Sequence, residues 1–324
     1  MPMSRSSKLR KYYEQAYRDL SRVELQRGLR PLDDLGLMDL FDYDPELWLG
    51  FYTKEGLSLA LERYGMNKDL RKRGFKEIRL ELNLEDSEEQ MLRIWSERPK
   101  IEEPLLELVA SRTVLHFRDD FLDATTPAFA PMLNIHWLLM QNPRSSFGPD
   151  RLPLPGQVHP GSGLGEQVMG LLTNTCRRLK LGGLVTVPAH FHNAIMYAGT
   201  YHYIDPQAEG ALQALQRDLF NGKSPLDDPT HLVAASWAFQ WKMIVDKKND
   251  PEEPYEWFHE AMVHPCNSEM RAYFESPKYL DEVAAARDTH DFKIFDKALS
   301  RQMARCGLAP WDSARVNEWL AKQA

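Results

Sequence analysis

The spacing of apolar residues changes along the chain and separates helical from extended segments. Apolar residues recur at close to helical spacing over Lys8–Gln26, and a second helix is predicted over Thr53–Gly65. From Phe75 to Leu82 apolar and polar residues alternate almost strictly, which predicts a strand. Met91–Trp95 and Leu105–Phe117 are predicted as two further strands. The first third of the chain is therefore predicted as helices followed by strands.

The central third predicts an alternation of buried strands and helices around one long loop. Leu133–Met140 is a compact apolar run suited to a central strand, and Asn142–Gly163 is rich in proline and glycine and predicts a long ordered loop. The elements predicted after the loop are, in chain order, an amphipathic helix over Glu166–Lys180, a buried strand over Leu184–Val187, a helix over His192–Gly199 and a short strand over Tyr201–Ile204.

The last third gives weaker patterns. Gln207–Phe220 is predicted as a helix, Leu232–Val245 as either a helix or a strand, and Lys278–Ala324 as mostly helical. The chain as a whole is predicted to be an α/β protein of the α+β kind. Its predicted segments are an N-terminal helical extension (1–60), an α/β core (61–222) and a mostly helical C-terminal region packed on the core (223–324).

Composition and charge narrow the class of protein. The 324 residues are 43% hydrophobic and 27% charged, so the chain can bury a core without disulfides or metals. A net charge of −7 argues against nucleic acid as the main partner. No apolar run approaches a membrane span, and the first residues lack the apolar region of a signal peptide. Together with three widely separated cysteines, these features predict a cytoplasmic protein that has no membrane partner.

A glycine cluster and a polar helix face carry the candidate chemistry of the centre. Gly161, Gly163 and Gly165 stand directly before the predicted helix, and their freedom lets backbone N–H groups turn toward an anion at its N-terminus. A pyrophosphate needs that arrangement of donors. Asn193 and Tyr197 are four residues apart, so they share one face of a later helix.

In order and spacing, residues 130–205 resemble the Gcn5-related N-acetyltransferase (GNAT) superfamily. That family has a mixed central sheet in which a bulged strand is followed by a pyrophosphate loop, a helix, a splayed strand, and a helix that opens with Asn and contains Tyr. The resemblance implies acetyl-CoA or another acyl-CoA as cofactor, with Asn193 bonding the pantetheine arm and Tyr197 protonating the departing thiolate. The further cofactor-binding residues implied are Leu139, Met140, Gln141, Gly161, Ser162, Gly163, Leu164 and Gly165.

Four histidines are candidate proton acceptors or ligands. His190 and His192 follow the buried strand with one residue between them, so they are predicted to point the same way, and either can take a proton from an amine. His136 and His159 are candidates for the substrate side of the site. A second interpretation is a zinc site in which His136, His159 and Asp205 complete the pair. A third is structural: His190 ends the strand and His192 begins the helix.

The functional prediction is an N-acyltransferase that moves an acyl group from CoA to an amine by direct attack in a ternary complex. The acceptor is predicted only as a small-molecule or peptide amine, and no pattern predicts an oligomeric state. Two alternatives stay open: a binding or structural protein that keeps the fold without the chemistry, and a metal-dependent hydrolase that uses His190 and His192.

Overall fold

The computed structural model describes residues 5–26, 44, 46–118, 128–220 and 229–322. Within these residues it contains ten strands and twelve helices, so the predicted mixed α/β class is confirmed. No helix in the described ranges is both long and apolar enough to cross a membrane.

The chain divides by its internal contacts into two units. The first unit comprises Met1–His116, Phe129–Pro143 and Gly161–Val185, and the second comprises Phe117–Ala128, Arg144–Pro160 and Thr186–Ala324. Within the first unit the helix Lys54–Arg63 contacts the strand that follows it, and most of the long central loop belongs to the second unit.

The first unit is built on a sheet with the strand order β1-β2-β3-β4-β5. The strands are β1 (Lys76–Asn83), β2 (Gln90–Arg98), β3 (Leu106–His116), β4 (Phe129–Met140) and β5 (Gly183–Thr186). The first four pair antiparallel in succession, and each lies close to the segment predicted from its alternation or apolar run. Along β2 every second residue is buried, because successive side chains point to opposite faces of a sheet.

Strand β4 contains a bulge at His136. Its neighbours Ile135 and Trp137 pair with the consecutive residues Ala110 and Val109 of β3, so His136 is an extra residue in β4. The bulge shifts the alternation, and both His136 and Trp137 are exposed although they are adjacent. The bulge therefore changes which residues of the last part of β4 face solvent.

Five helices accompany this sheet. They are α1 (Arg5–Asp19), α2 (Arg22–Leu25), α3 (Lys54–Arg63), α4 (Met66–Lys72) and α5 (Gly165–Arg178). Thr53 caps α3 by accepting a hydrogen bond from the N–H of Gly56, as its position before the apolar run predicts. The Tyr64 hydroxyl accepts a hydrogen bond from the Asn174 amide of α5 at 2.9 Å, which holds α5 against the end of α3.

The second unit combines helices with two small groups of strands. Its helices are α6 (Phe191–Tyr197), α7 (Pro206–Phe220), α8 (Pro229–Gln240), α9 (Ser268–Glu275), α10 (Pro277–Asp288), α11 (Asp296–Arg305) and α12 (Ser313–Ala321). Its strands are β6 (His202–Tyr203), β7 (Ile244–Asp246), β8 (Asp250–Pro254), β9 (Met262–Pro265) and β10 (Phe292–Ile294). β6 pairs antiparallel with β9, and β7 is the middle strand of a sheet with the order β10-β7-β8.

The segment 223–324 thus contains strands as well as helices. Leu232–Val245, predicted as helix or strand, is both: α8 ends at Gln240 and β7 begins at Ile244. β8 has the sequence Asp-Pro-Glu-Glu-Pro and no apolar alternation, so its pattern gave no signal for a strand. It is extended because it pairs with the buried strand β7.

Candidate functional site

The glycine loop lies against the end of β4. The Ser162 N–H donates to the Met140 carbonyl oxygen at 3.1 Å, and Gln141 forms an isolated bridge with Gly161. The Gln141 side chain is fixed in turn, because its amide donates to the Pro104 carbonyl oxygen at 3.0 Å. At the other end of β4 the Gly182 N–H donates to the Pro131 carbonyl oxygen at 2.8 Å. β4 therefore bonds to the segment before β5 near its start and to the glycine loop at its end.

The loop presents backbone donors that the protein itself does not use. Gly163 has a φ of +69°, a left-handed conformation that residues with a side chain rarely adopt. α5 begins after Leu164, which provides no side-chain cap. No described residue accepts a hydrogen bond from the N–H of Gly163, Leu164 or Gly165. Uncapped N–H groups at the start of a helix of 14 residues attract an anion, which the helix dipole also favours.

A buried hydroxyl belongs to the same loop. Ser162 is only 4% exposed, and its Oγ has no hydrogen-bond partner among the described residues. A buried polar group without a partner costs about 1–3 kcal/mol, so such groups are rare unless a ligand supplies the missing bond. The hydroxyl is therefore a further donor of the glycine loop that no described residue uses.

His136, the bulged residue of β4, is exposed and held in place by its neighbours. Its Nε2 lies 2.8 Å from the Ser111 hydroxyl and 3.3 Å from the Asn134 side-chain nitrogen. Ser111 is buried in β3, so the imidazole is anchored at one ring nitrogen to the sheet of the first unit. This arrangement orients the ring without burying it.

The histidine pair belongs to the second unit together with the long loop. Trp237 of α8 donates from Nε1 to the Pro153 carbonyl oxygen at 2.8 Å, which anchors the loop. Gly156 lies directly against the imidazole of His190: a Cβ at this position would come within 2.8 Å of its Nε2. His159 is half-buried in the same loop. The loop predicted from its proline and glycine content thus packs against the side chain of His190.

His190 and His192 are brought together as parallel rings. Their centroids are 5.3 Å apart with an interplanar angle of 11°, which matches the prediction that they point the same way. Burial lowers the pKa of His192 to about 3, and its Nδ1 has no hydrogen-bond partner among the described residues. Burial and the neighbouring His259 also lower the pKa of the half-buried His190. Both imidazoles are therefore neutral at pH 7, the state that accepts a proton.

We expect His192 to make the fold sensitive to acid. The unfolded chain binds a proton at this residue below about pH 6.5, whereas the folded protein does not until about pH 3. The free energy of unfolding therefore does not depend on this residue above about pH 6.5, and it decreases as the pH falls from 6.5 toward 3. At pH 4.5 the loss attributable to His192 is roughly 2–3 kcal/mol of the free energy of unfolding.

The measurement is urea unfolding of the wild type and His192→Leu at pH 7 and pH 4.5. The variant should lose less stability on acidification, because its replacement side chain binds no proton in either state. His116→Gln, which changes an exposed histidine of the first unit, is the matched control and should behave as the wild type. An equal loss of stability in His192→Leu and the wild type would contradict the prediction.

Asn193 and Tyr197 lie four residues apart on α6, as predicted. The Asn193 side chain and the Tyr197 hydroxyl make no hydrogen bond with any described residue. Burial raises the pKa of Tyr197, so the phenol keeps its proton throughout the neutral range. Both polar groups are therefore free to bond to a ligand, and Tyr197 is in the state that donates a proton.

Among the described residues, no group of three or more His, Cys, Asp or Glu side chains is placed to hold a metal ion. Asp205, proposed as a partner in the metal interpretation, instead accepts a hydrogen bond from the Gln207 N–H at the start of α7. That bond is a local turn contact and gives Asp205 a structural role.

A scan against models of known protein families found no match for this chain, and a search of curated proteins found no significant match.

One residue of the glycine-loop surroundings was missed by the sequence patterns. Arg73 directly follows α4, and its Nη2 lies 3.4 Å from the Gly163 carbonyl oxygen, 90 residues away in sequence. In the sequence it ends a charged run from Lys68, which is typical of a solvated helix face. Only the packing of α4 beside the loop brings the guanidinium to Gly163.

Proposed function

We propose that this protein is an acyl-CoA-dependent N-acyltransferase. The observation that carries the proposal is the glycine loop at the end of the bulged strand β4, with unused N–H donors at Gly163, Leu164 and Gly165 at the start of α5. Such donors suit a pyrophosphate, and the buried Ser162 hydroxyl adds one more. These residues fit the phosphate-bearing part of CoA.

We further propose a GNAT-like arrangement for the first unit. Three features support it: the succession β1-β2-β3-β4-β5, the bulge at His136, and the different partners of β4 along its length. β4 bonds to Gly182 near its start and to Ser162 at its end. A pair of strands that separate along their length would leave room for the pantetheine arm beside Leu139, Met140 and Gln141.

Acyl-CoA, when bound, would supply the acyl group as a thioester, and transfer of that group to the amine would release CoA as the thiol. The chain supplies proton transfer. His190 is the better candidate for the base, because it is half-buried and reachable, whereas a pKa near 3 makes His192 a weak proton acceptor. Tyr197 holds the proton needed by a leaving group. Asn193 offers its free side-chain amide to a ligand on the same helix face.

The proposed acceptor is a small-molecule or peptide amine, and the proposed compartment is the cytoplasm. The three cysteines are free, which suits a reducing environment. No described feature favours the metal-dependent hydrolase, and the binding-only alternative differs from the enzyme only in turnover.

The test is calorimetric titration of the wild type with CoA and with acetyl-CoA, followed by thiol release from acetyl-CoA in the presence of a panel of amines. Binding with amine-dependent thiol release is the expected result. Binding without release for any amine would favour the binding-only alternative. Absence of heat and of any thermal shift at millimolar CoA would overturn the proposal, because a ligand that binds only the folded state must stabilise it.

A further inference from the structure

The guanidinium of Arg73 lies at the glycine loop with its charge available. Its Nη1 donates to the Asp69 carbonyl oxygen at 2.9 Å, which anchors the side chain at the end of α4. Its Nη2 reaches the Gly163 carbonyl oxygen at 3.4 Å, the outer limit of a hydrogen bond and therefore a weak one. Arg73 is half-buried, so its side chain is constrained without being removed from solvent.

The other basic residues at the end of α4 are already paired with carboxylates. Arg71 pairs with Glu62 at 3.0 Å, and Lys72 pairs with Asp69 at 2.9 Å. Arg73 forms no ion pair with any described carboxylate. The Asp69 carboxylate interacts electrostatically with Arg73, but it is already bonded to Lys72 and to the Gln167 amide. Of the three basic residues, Arg73 alone keeps a charge that no partner neutralises.

Donors of three kinds therefore lie at one loop: the Arg73 guanidinium, the unpartnered and buried Ser162 hydroxyl, and the unused N–H groups of Gly163, Leu164 and Gly165. A guanidinium bonds a tetrahedral phosphate through two parallel N–H groups, and backbone N–H groups at a helix start complete its coordination. A neutral ligand would not neutralise the charge of Arg73, whereas a phosphate would.

We propose that Arg73 is a phosphate ligand of the glycine loop and exchanges its weak bond to the Gly163 carbonyl for a bond to a phosphate oxygen of the ligand. This inference rests on the proposed function, in which the phosphates are those of CoA. It adds a residue from α4 to a site otherwise built from β4, the loop and α5. The same chemistry would bind free pyrophosphate, so the test separates the two sources.

The test measures affinity of the wild type, Arg73→Gln, Arg73→Lys and Arg71→Gln for CoA, inorganic pyrophosphate and pantetheine, which has no phosphate. Arg73→Gln removes the charge but keeps a polar side chain with an amide donor. We expect it to weaken CoA about 10- to 100-fold and pyrophosphate similarly, while pantetheine binding stays unchanged. Arg73→Lys should recover part of the loss, and Arg71→Gln should stay within about twofold of the wild type.

Ionic strength provides a readout that a structural role would not change. Loss of one cation from the site should make the decrease of CoA affinity with salt shallower in Arg73→Gln than in the wild type. If Arg73→Gln binds CoA as tightly as the wild type does, this inference is overturned and the proposed function stays intact. Equal losses in Arg73→Lys and Arg73→Gln, with a lowered unfolding temperature, would assign Arg73 a structural role and also overturn it. A wild type that binds pyrophosphate with this Arg73 dependence but not CoA would overturn the proposed function alone.

Discussion

Replacing Gly163 with valine is expected to abolish CoA binding while the protein stays folded. Gly163 has a φ of +69°, a conformation that is a severe outlier for a β-branched residue and costs about 1–3 kcal/mol where the structure enforces it. A Cβ there would also lie 3.2 Å from Arg73 Nη2. The loop would change its path to relieve this strain, which would displace the unused N–H groups of Gly163, Leu164 and Gly165.

The measurement is a thermal shift at a CoA concentration about 100 times the wild-type dissociation constant. At that concentration a single-site ligand stabilises the folded state by about 2.7 kcal/mol, which raises the unfolding temperature by several degrees. We expect the shift in the wild type and none in Gly163→Val. Gly148→Val is the matched control, because Gly148 has no positive φ and a Cβ there would meet no atom within 4 Å. A shift in Gly163→Val equal to that of the wild type would remove the glycine loop from the binding site.

Replacing Tyr197 with phenylalanine is expected to lower turnover by about 10²-fold or more with little change in CoA affinity. A positioned general acid contributes roughly 10²- to 10⁴-fold to a rate, and burial raises the pKa of Tyr197 so that its phenol is protonated at neutral pH. The hydroxyl bonds to no described residue, so its removal leaves no buried group without a partner. The free energy of unfolding should therefore change by less than about 0.5 kcal/mol.

The measurement is steady-state thiol release together with a CoA titration of the same preparation. Tyr255→Phe is the matched control: it removes the hydroxyl of another tyrosine of the second unit, whose pKa burial raises to about 12. That variant should keep wild-type turnover. Unchanged turnover in Tyr197→Phe would exclude the tyrosine as the acid.

Local patterns were sufficient for several of the elements that build the first unit. β1 and β2 follow from apolar alternation, because successive side chains of a half-buried strand face opposite sides. α3 begins where Thr53 can cap it, and α5 begins at the end of the glycine cluster. Each of these signals is contained within a few neighbouring residues, so it is visible in the sequence.

The sequence by itself therefore determined the mixed α/β class, the strand succession of the first unit and the position of the glycine loop before α5. Only the tertiary structure decided the bulge at His136, since the register between β3 and β4 sets it. The placement of Arg73 beside Gly163 and the extended form of β8 likewise depend on contacts with residues distant in sequence. Such contacts are selected by packing and by pairing between segments, and a one-dimensional pattern of apolar residues does not record which segments meet.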